Sequence, residues 1–356
     1  PRNVYSAMLQ QGYKKSEIKA LFQSSGTFHT RKKNELQIAI VDEAHRLRKK
    51  SGMFQNQGED QVKEIINASI FSVFFIDRNQ RVTFNDAGTI DKIRNFAQEQ
   101  NSLIYEGVLE SQFRCNGSDG YLAWIDNVLQ IAETANYDGF EGDYDFKIFD
   151  NPHDMYDAIK AKNEINNKSR VLAGYCWDWP KEGRTTSLIK DIQIPEYNFG
   201  ISWNLGNSDT YAIDPDSINE AGCIHTTQGL EFEYVGVIIG DDLRYEDGKL
   251  VVDITKRAKT DQSIKGIKKH LKENPTEAHR IANEIVKNTY RTLMTRGQKG
   301  CYIYCTNKGL SDYFKLIYNH QLSYTYEQLT LSKSDQLVAD IPISDIDITE
   351  INPHKI

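Results

Sequence analysis

The sequence predicts an α/β chain in two domains, each built on a parallel sheet. Short apolar runs of strand length alternate with longer stretches of helical spacing, the pattern of strand–helix–strand crossovers. The alternation occurs twice, before and after about Gln112, within 356 residues, enough for two domains of ordinary size. Hydrophobic residues make up 39% and charged residues 26%, a soluble globular composition. No apolar run reaches the ~18 residues of a membrane span.

In chain order, LQIAIV (Leu36 to Val41) is expected to be a short buried strand that runs into acidic residues. Glu59 to Ser69 has helical spacing, with Val62, Ile65, Ile66 and Ser69 on one side. SVFFID (Ser72 to Asp77) is a second apolar strand ending in Asp, and a helix is expected from about Thr89. Beyond Gln112 the strand candidates are DYDFKIFD, SRVLAGYCW, FEYVGVIIG and KGCYIYC. Helices are expected at HDMYDAIKAKNEI and at AHRIANEIVKNTYRTLMTR, whose Ile281, Ile285 and Leu293 share a face. Trp179 to Ser208 has little periodicity and is expected as loops with short strands. The expected division is therefore 1–111, 112–320 with a polar, lysine-rich excursion at about 241–278, and a C-terminal extension, 321–356.

Net charge is −7, which argues against a wholly basic nucleic-acid coat but leaves room for a local basic groove. The five cysteines are odd in number and scattered in apolar stretches, as expected of reduced, buried thiols in a cytoplasmic protein. Cys301 and Cys305 share a strand face without accompanying zinc-ligand spacing.

Five blocks carry chemistry. In VDEAH, an apolar strand delivers Asp42 and Glu43 to a sheet edge. Asp42 would hold Mg²⁺ through its water shell, and Glu43 would polarise the water that attacks ATP. In FFIDRNQ, a strand ending in Asp-x-x-Gln would bring Gln80 to the γ-phosphate. In SQFRCNGSDGYLAWIDNVL, Arg114 precedes a turn and a helix. It would reach the γ-phosphate from the second domain, since arginine stays charged and grips phosphate bidentately. In GCIHTTQGLEFEYVGVIIG, small hydroxyls beside Gly229 can approach a phosphodiester closely, with Gln228 and Glu231 near nucleotide or nucleic acid. In NTYRTLMTRGQKGCYIYC, Arg296 would act as a second arginine finger; Tyr290 and Arg291 read as structural. Each block has a plainer alternative, a capped helix start or a strand-to-turn boundary; their order along one chain favours the chemical reading.

Together the blocks resemble superfamily-1 helicases. More closely, IVDEAHRL, VFFIDRNQRVTFNDAG, SQFRCNGSDGYLAWID, RVLAGYCWDWP, CIHTTQGLEFEYVGVIIG and NTYRTLMTRGQKGCYIYC are similar to a family of predicted bacterial ATPases. That family is related to the helicase domain of Schlafen group-three proteins, and the likeness covers roughly residues 1 to 315. It implies two RecA-like domains of the P-loop NTPase type, with ATP and Mg²⁺ between them and a single strand of DNA or RNA across their tops. Asp42, Glu43, Gln80, Arg114 and Arg296 would then line the nucleotide cleft, with Gln228, Gly229 and Glu231 beside it. His225, Thr226 and Thr227 would lean towards the strand. Trp177 and Trp179 read more as packing than as base-stacking residues.

The family's phosphate loop, G-x-x-x-x-G-K-S/T, has no counterpart here, so the first domain is expected to be truncated at its start. The opening PRNVYSAMLQ, without an initiator Met or apolar leader, reads as the interior of a longer polypeptide. This chain alone would then bind ATP weakly and hydrolyse it poorly. Two other readings remain open: a non-catalytic nucleic-acid- or protein-binding module of motor shape, and a regulatory ATPase switch that does not unwind. The excursion holding Lys256, Arg257, Lys259, Lys265, Lys268, Lys269 and Lys272 is either a grip on a nucleic-acid backbone or a solvated, mobile loop.

Overall fold

A computed structural model describes residue 8 and residues 11–319, except 53–55, 78–80, 85, 109–113, 133–139, 141–143, 180–185, 206–210 and 228–229. Gln80, Gln228, Gly229 and the extension 321–356 lie outside the described residues, as does the side chain of Arg114.

The first unit contains α1 (Lys15–Leu21), β1 (Leu36–Val41), α2 (Gln61–Ala68), β2 (Ser69–Phe74) and α3 (Ile90–Glu99). β1 and β2 pair in parallel from Leu36↔Ser69 to Val41↔Phe74. Asp60 caps α2 by accepting from the Val62 amide at 3.0 Å, and Thr89 caps α3. Val62, Ile65 and Ile66 pack beneath the sheet with Ala39, Ala44, Leu47 and Ala97. Two expectations need correction. The second strand starts at Ser69, not Ser72: Ser69 leaves the helix in extended conformation while its hydroxyl bonds back to the Ile65 carbonyl at 2.7 Å. β1 is not a buried strand either. Ile38 and Ile40 are 60% and 71% exposed, beside Phe71 of β2 at 56%, because no described segment covers that face.

The second unit has a seven-stranded sheet. Its elements run α4 (Asp119–Val128), β3 (Asp145–Phe149), α5 (Pro152–Asn166), β4 (Ser169–Ala173), β5 (Ile192–Ile194), β6 (Phe199–Trp203), β7 (Glu220–Gly222) and α6 (Ile224–Thr227). They continue with β8 (Phe232–Ile239), β9 (Leu243–Glu246), β10 (Lys249–Val252), α7 (Ile267–Glu273), α8 (Pro275–Met294) and β11 (Gly297–Cys305). A last helix is described over 308–319. Strand order is β3-β11-β8-β4-β7-β6-β5, parallel throughout except for β5, an antiparallel edge.

Side chains alternate across this sheet. Val235, Val237 and Ile239 of β8 pack with α4 and α8, whereas Ile238 packs on the opposite side with Met155 and Ile159 of α5. Burial on both faces explains why β8 reads as a continuous apolar run rather than an alternating one. Gly236 permits α5 to approach: a Cβ there would lie 2.8 Å from Ile159 Cγ1.

The lysine-rich excursion is a folded insertion, not a loose loop. β9 and β10 form a hairpin, and Ile254, Ile264, Ile267 and Leu271 pack with Ala278, Ile281 and Ile285 of α8. Arg257 pins it from beneath. Its fully buried guanidinium bonds Asp261 at 2.6 Å, Asp242 at 2.9 Å and the Ser263 hydroxyl at 3.0 Å. Burial works against that charge, but Asp261 and Asp242 outweigh it and hold the pKa above arginine's usual value. Tyr290 completes the cluster by accepting from the Gly240 amide at 3.0 Å and donating to Asp242.

The two units are joined by more than the chain between them. Val82 is buried in the second unit's core, and Phe84 packs with the insertion and α8. The Phe84 amide bonds the Ser263 carbonyl at 2.6 Å, and Asn288 Nδ2 bonds the Arg81 carbonyl at 3.0 Å. Among the described residues no helix is long and apolar enough to cross a membrane.

Candidate functional site

The VDEAH block makes a tight turn at the carboxyl end of β1. Glu43 sits in the left-handed region, φ 50° and ψ 47°, a conformation that non-glycine residues seldom adopt. The turn is over-determined. The Glu43 amide bonds Asp42 Oδ1 at 2.9 Å, the Ala44 amide bonds the Phe75 carbonyl at 2.8 Å, and Arg46 pairs with Glu43 at 2.9 Å. Gly88 presses on it from the loop after β2, where a Cβ would lie 1.8 Å from the Ala44 carbonyl oxygen. Backbone strain held at an acidic sheet edge is a common feature of functional sites. Asp42 remains exposed, open to a cation.

His45, 3% exposed, has no hydrogen-bond partner at either ring nitrogen among the described residues. Burial lowers its pKa against the opposing pull of Glu43, Asp86 and Asp77, so the ring is neutral near pH 7. Asp77 also bears on the second unit. Burial opposes the charge of Arg291, but its pair with Asp126 (3.0 Å at Nη2) and the field of Asp77 raise its pKa. Arg291 thus has the structural role expected of it, and so does Tyr290.

The second unit brings its predicted arginine blocks together. Arg114 opens a short 3-10 turn, Arg114–Gly117, whose Cys115 Sγ lies 3.8 Å from the Thr295 carbonyl. Arg296 ends the turn after α8; it is 5% exposed, inside the fold rather than extended, and its carbonyl accepts from the Phe232 amide at 3.0 Å. Glu231 lies one residue before β8, exposed and held by Gln298 at 2.7 Å. The Arg114, Glu231 and Arg296 blocks therefore share the amino edge of β8 and β11.

The His-Thr-Thr block lies at the opposite, carboxyl edge, and only part of it faces outward. His225 is solvent-accessible in a recess beside Tyr175, ring centroids 5.9 Å apart. Loss of hydration there, then Arg46 of the first unit, lowers its pKa. Thr226 is 7% exposed, its hydroxyl between Cys223 Sγ at 3.2 Å and the Asn204 amide oxygen. Thr227 is a correction: fully buried, it donates to the Cys223 carbonyl at 3.0 Å, stabilising the α6 turn instead of leaning towards a strand. Trp179 packs edge-on to Trp203 at 6.4 Å and Trp177 lies close to Gly240, so both pack as expected.

Sequence reasoning missed the Arg257–Asp242–Asp261 cluster and the Val82/Phe84 contact. The first had a faint signal, a lone arginine among lysines; the second had none.

A large, mostly parallel sheet with helices on both faces is consistent with an α/β protein of the P-loop type. The family is specific: this chain belongs to the Schlafen group 3 DNA/RNA helicase-domain family, whose model matches residues 1–307. It is also similar to "Uncharacterized protein YPL245W" of Saccharomyces cerevisiae, 26% identical over 305 residues, covering 77% of this chain and 63% of the yeast protein. The chain thus spans less than two-thirds of that relative's length. A specifically bacterial family finds no support in this fungal match.

Proposed function

We propose that this chain is the greater part of a nucleic-acid-dependent ATPase motor of the superfamily-1 helicase class, with two RecA-like domains. In this reading ATP and Mg²⁺ occupy the cleft between the units. Asp42 would hold the metal through water, Glu43 would orient the attacking water, and Arg114 and Arg296 would stabilise charge on the γ-phosphate from the second unit. Exposed Asp42 would supply one oxygen ligand of the kind Mg²⁺ takes. Gln80, Gln228, Gly229 and Glu231 complete the nucleotide contacts, and His225 faces a single strand of DNA or RNA. Five cysteines without a disulfide, all buried except half-buried Cys176, suit a cytoplasmic setting.

The observation that carries the reading is the strained, over-determined Glu43 turn within a chain of a helicase-domain family. The test is ATP hydrolysis, with and without single-stranded DNA or RNA, by the polypeptide that carries this chain with a phosphate loop. Glu43→Gln is expected to lower stimulated turnover by ~100-fold or more with ATP binding retained. A folded protein without hydrolysis under either nucleic acid would favour the binding-module reading. Stimulated hydrolysis without strand displacement would favour the switch.

A further inference from the structure

Between Lys256 and Lys272 the insertion carries seven basic residues and one acid, Asp261. Arg257 and Asp261 neutralise each other beneath the surface. The other six, Lys256, Lys259, Lys265, Lys268, Lys269 and Lys272, are all exposed. The insertion is therefore amphipathic: its isoleucines and Leu271 face α8, and its lysines face outward. Only Lys269 meets a carboxylate among the described residues, Glu273 at 3.6 Å. Several lysines elsewhere on the same unit are matched: Lys299 to Glu233 at 2.9 Å, Lys162 to Asp145 at 3.3 Å and Lys308 to Asp312 at 2.8 Å. In a chain of net charge −7, the segment from Lys256 to Lys272 is a local inversion of sign on a folded mount.

Its position gives this surface a direction. At one end the Lys259 amide bonds Asp178 Oδ1 at 3.0 Å and the Ala258 amide bonds the Tyr175 carbonyl at 2.8 Å, beside the His225 recess. At the other end, Gly266 and His270 meet Phe84, with the Phe84 and His270 rings 5.6 Å apart. The lysines therefore run from the carboxyl edge of the large sheet to the place where the first unit docks.

We infer that this lysine face is a track for the phosphate backbone of single-stranded nucleic acid, leading from the His225 recess across to the first unit. The inference rests on the nucleic-acid dependence proposed above. Like charges held at fixed spacing on a folded surface repel one another, and a polyanion that displaces their counterions relieves this. The contacts are to phosphate, so they supply affinity without base specificity.

The test is binding of poly-dT and poly-U oligonucleotides to the full chain as salt is varied. A variant with Lys259, Lys265, Lys268, Lys269 and Lys272 all changed to Gln is compared with a control changed at the matched lysines Lys162, Lys299 and Lys308. If all five contact phosphate, the slope of log K against log salt falls by ~3, with at least about a tenfold loss of affinity at moderate salt; the control leaves both unchanged. Loss with one polymer only assigns the track to DNA or to RNA. A folded five-lysine variant with native slope and affinity overturns the track, and leaves the motor reading standing if hydrolysis is still stimulated. No binding of either polymer by the unaltered chain overturns the track as well, and hydrolysis that neither polymer stimulates then removes the motor reading with it.

Discussion

The parallel sheets of the two units draw on similar apolar runs and end in different environments. β1 is LQIAIV and β8 is FEYVGVII, yet Ile40 is 71% exposed and Val237 is fully buried. In the second unit both faces are covered, by α4 and α8 on one side and by α5 on the other. In the first, α2 and α3 cover one face and no described segment covers the other. An apolar strand therefore reports that a face can be buried; whether it is depends on what packs against it.

The sharpest way to test that contrast is to compare the pinned interior with the open face. Arg257→Ala would leave Asp242 and Asp261 buried without their counter-charge. Destabilisation of about 3–5 kcal/mol is expected, read as a lower denaturation midpoint. A loss under about 1 kcal/mol would show the insertion to be held by its apolar contacts alone.

A smaller effect lies at the far side of the large sheet. Burial raises the pKa of Glu220 to about 7, opposed by the bond from the Leu205 amide. Its folded pKa stands above the unfolded value of about 4.5, so the native state holds the proton more tightly. The stabilisation is full below about pH 4.5 and is lost as pH rises through about 7. Glu220→Gln, which keeps an acceptor for Leu205, should flatten that decline and gain about 2 kcal/mol over the native protein at pH 8. Parallel pH–stability curves for the two proteins would rule it out.

The smallest effect is the most informative about the first unit. Ile40→Thr is expected to change the stability of this chain by less than about 0.5 kcal/mol, while Val237→Thr costs about 2 kcal/mol by burying a hydroxyl. If Ile40→Thr proved as costly as Val237→Thr in unfolding experiments, the open face would be covered in solution.

Much of the site was legible because its signals are local. An apolar strand followed by Asp42-Glu43 marks a sheet's carboxyl edge, and a long amphipathic helix followed by Thr-Arg-Gly marks the return to the sheet. What was illegible depended on contacts between distant positions. Arg291 finds Asp126 at a separation of 165 residues, and nothing near either announces the other. Thr227 was misjudged because a hydroxyl in a short helix can satisfy itself on its own turn, which no sequence pattern distinguishes from one aimed at a ligand.

By itself the sequence determined the α/β class, the alternation of strands and helices, and the acidic turn after β1, because periodicity and turn chemistry act over a few residues. Only the tertiary structure decided that the lysine-rich segment is a folded platform, that β1 keeps one face open, and that Val82 and Phe84 of the first unit lodge in the second. Those outcomes depend on which surfaces meet, and packing is settled by the summed burial of residues far apart in the chain.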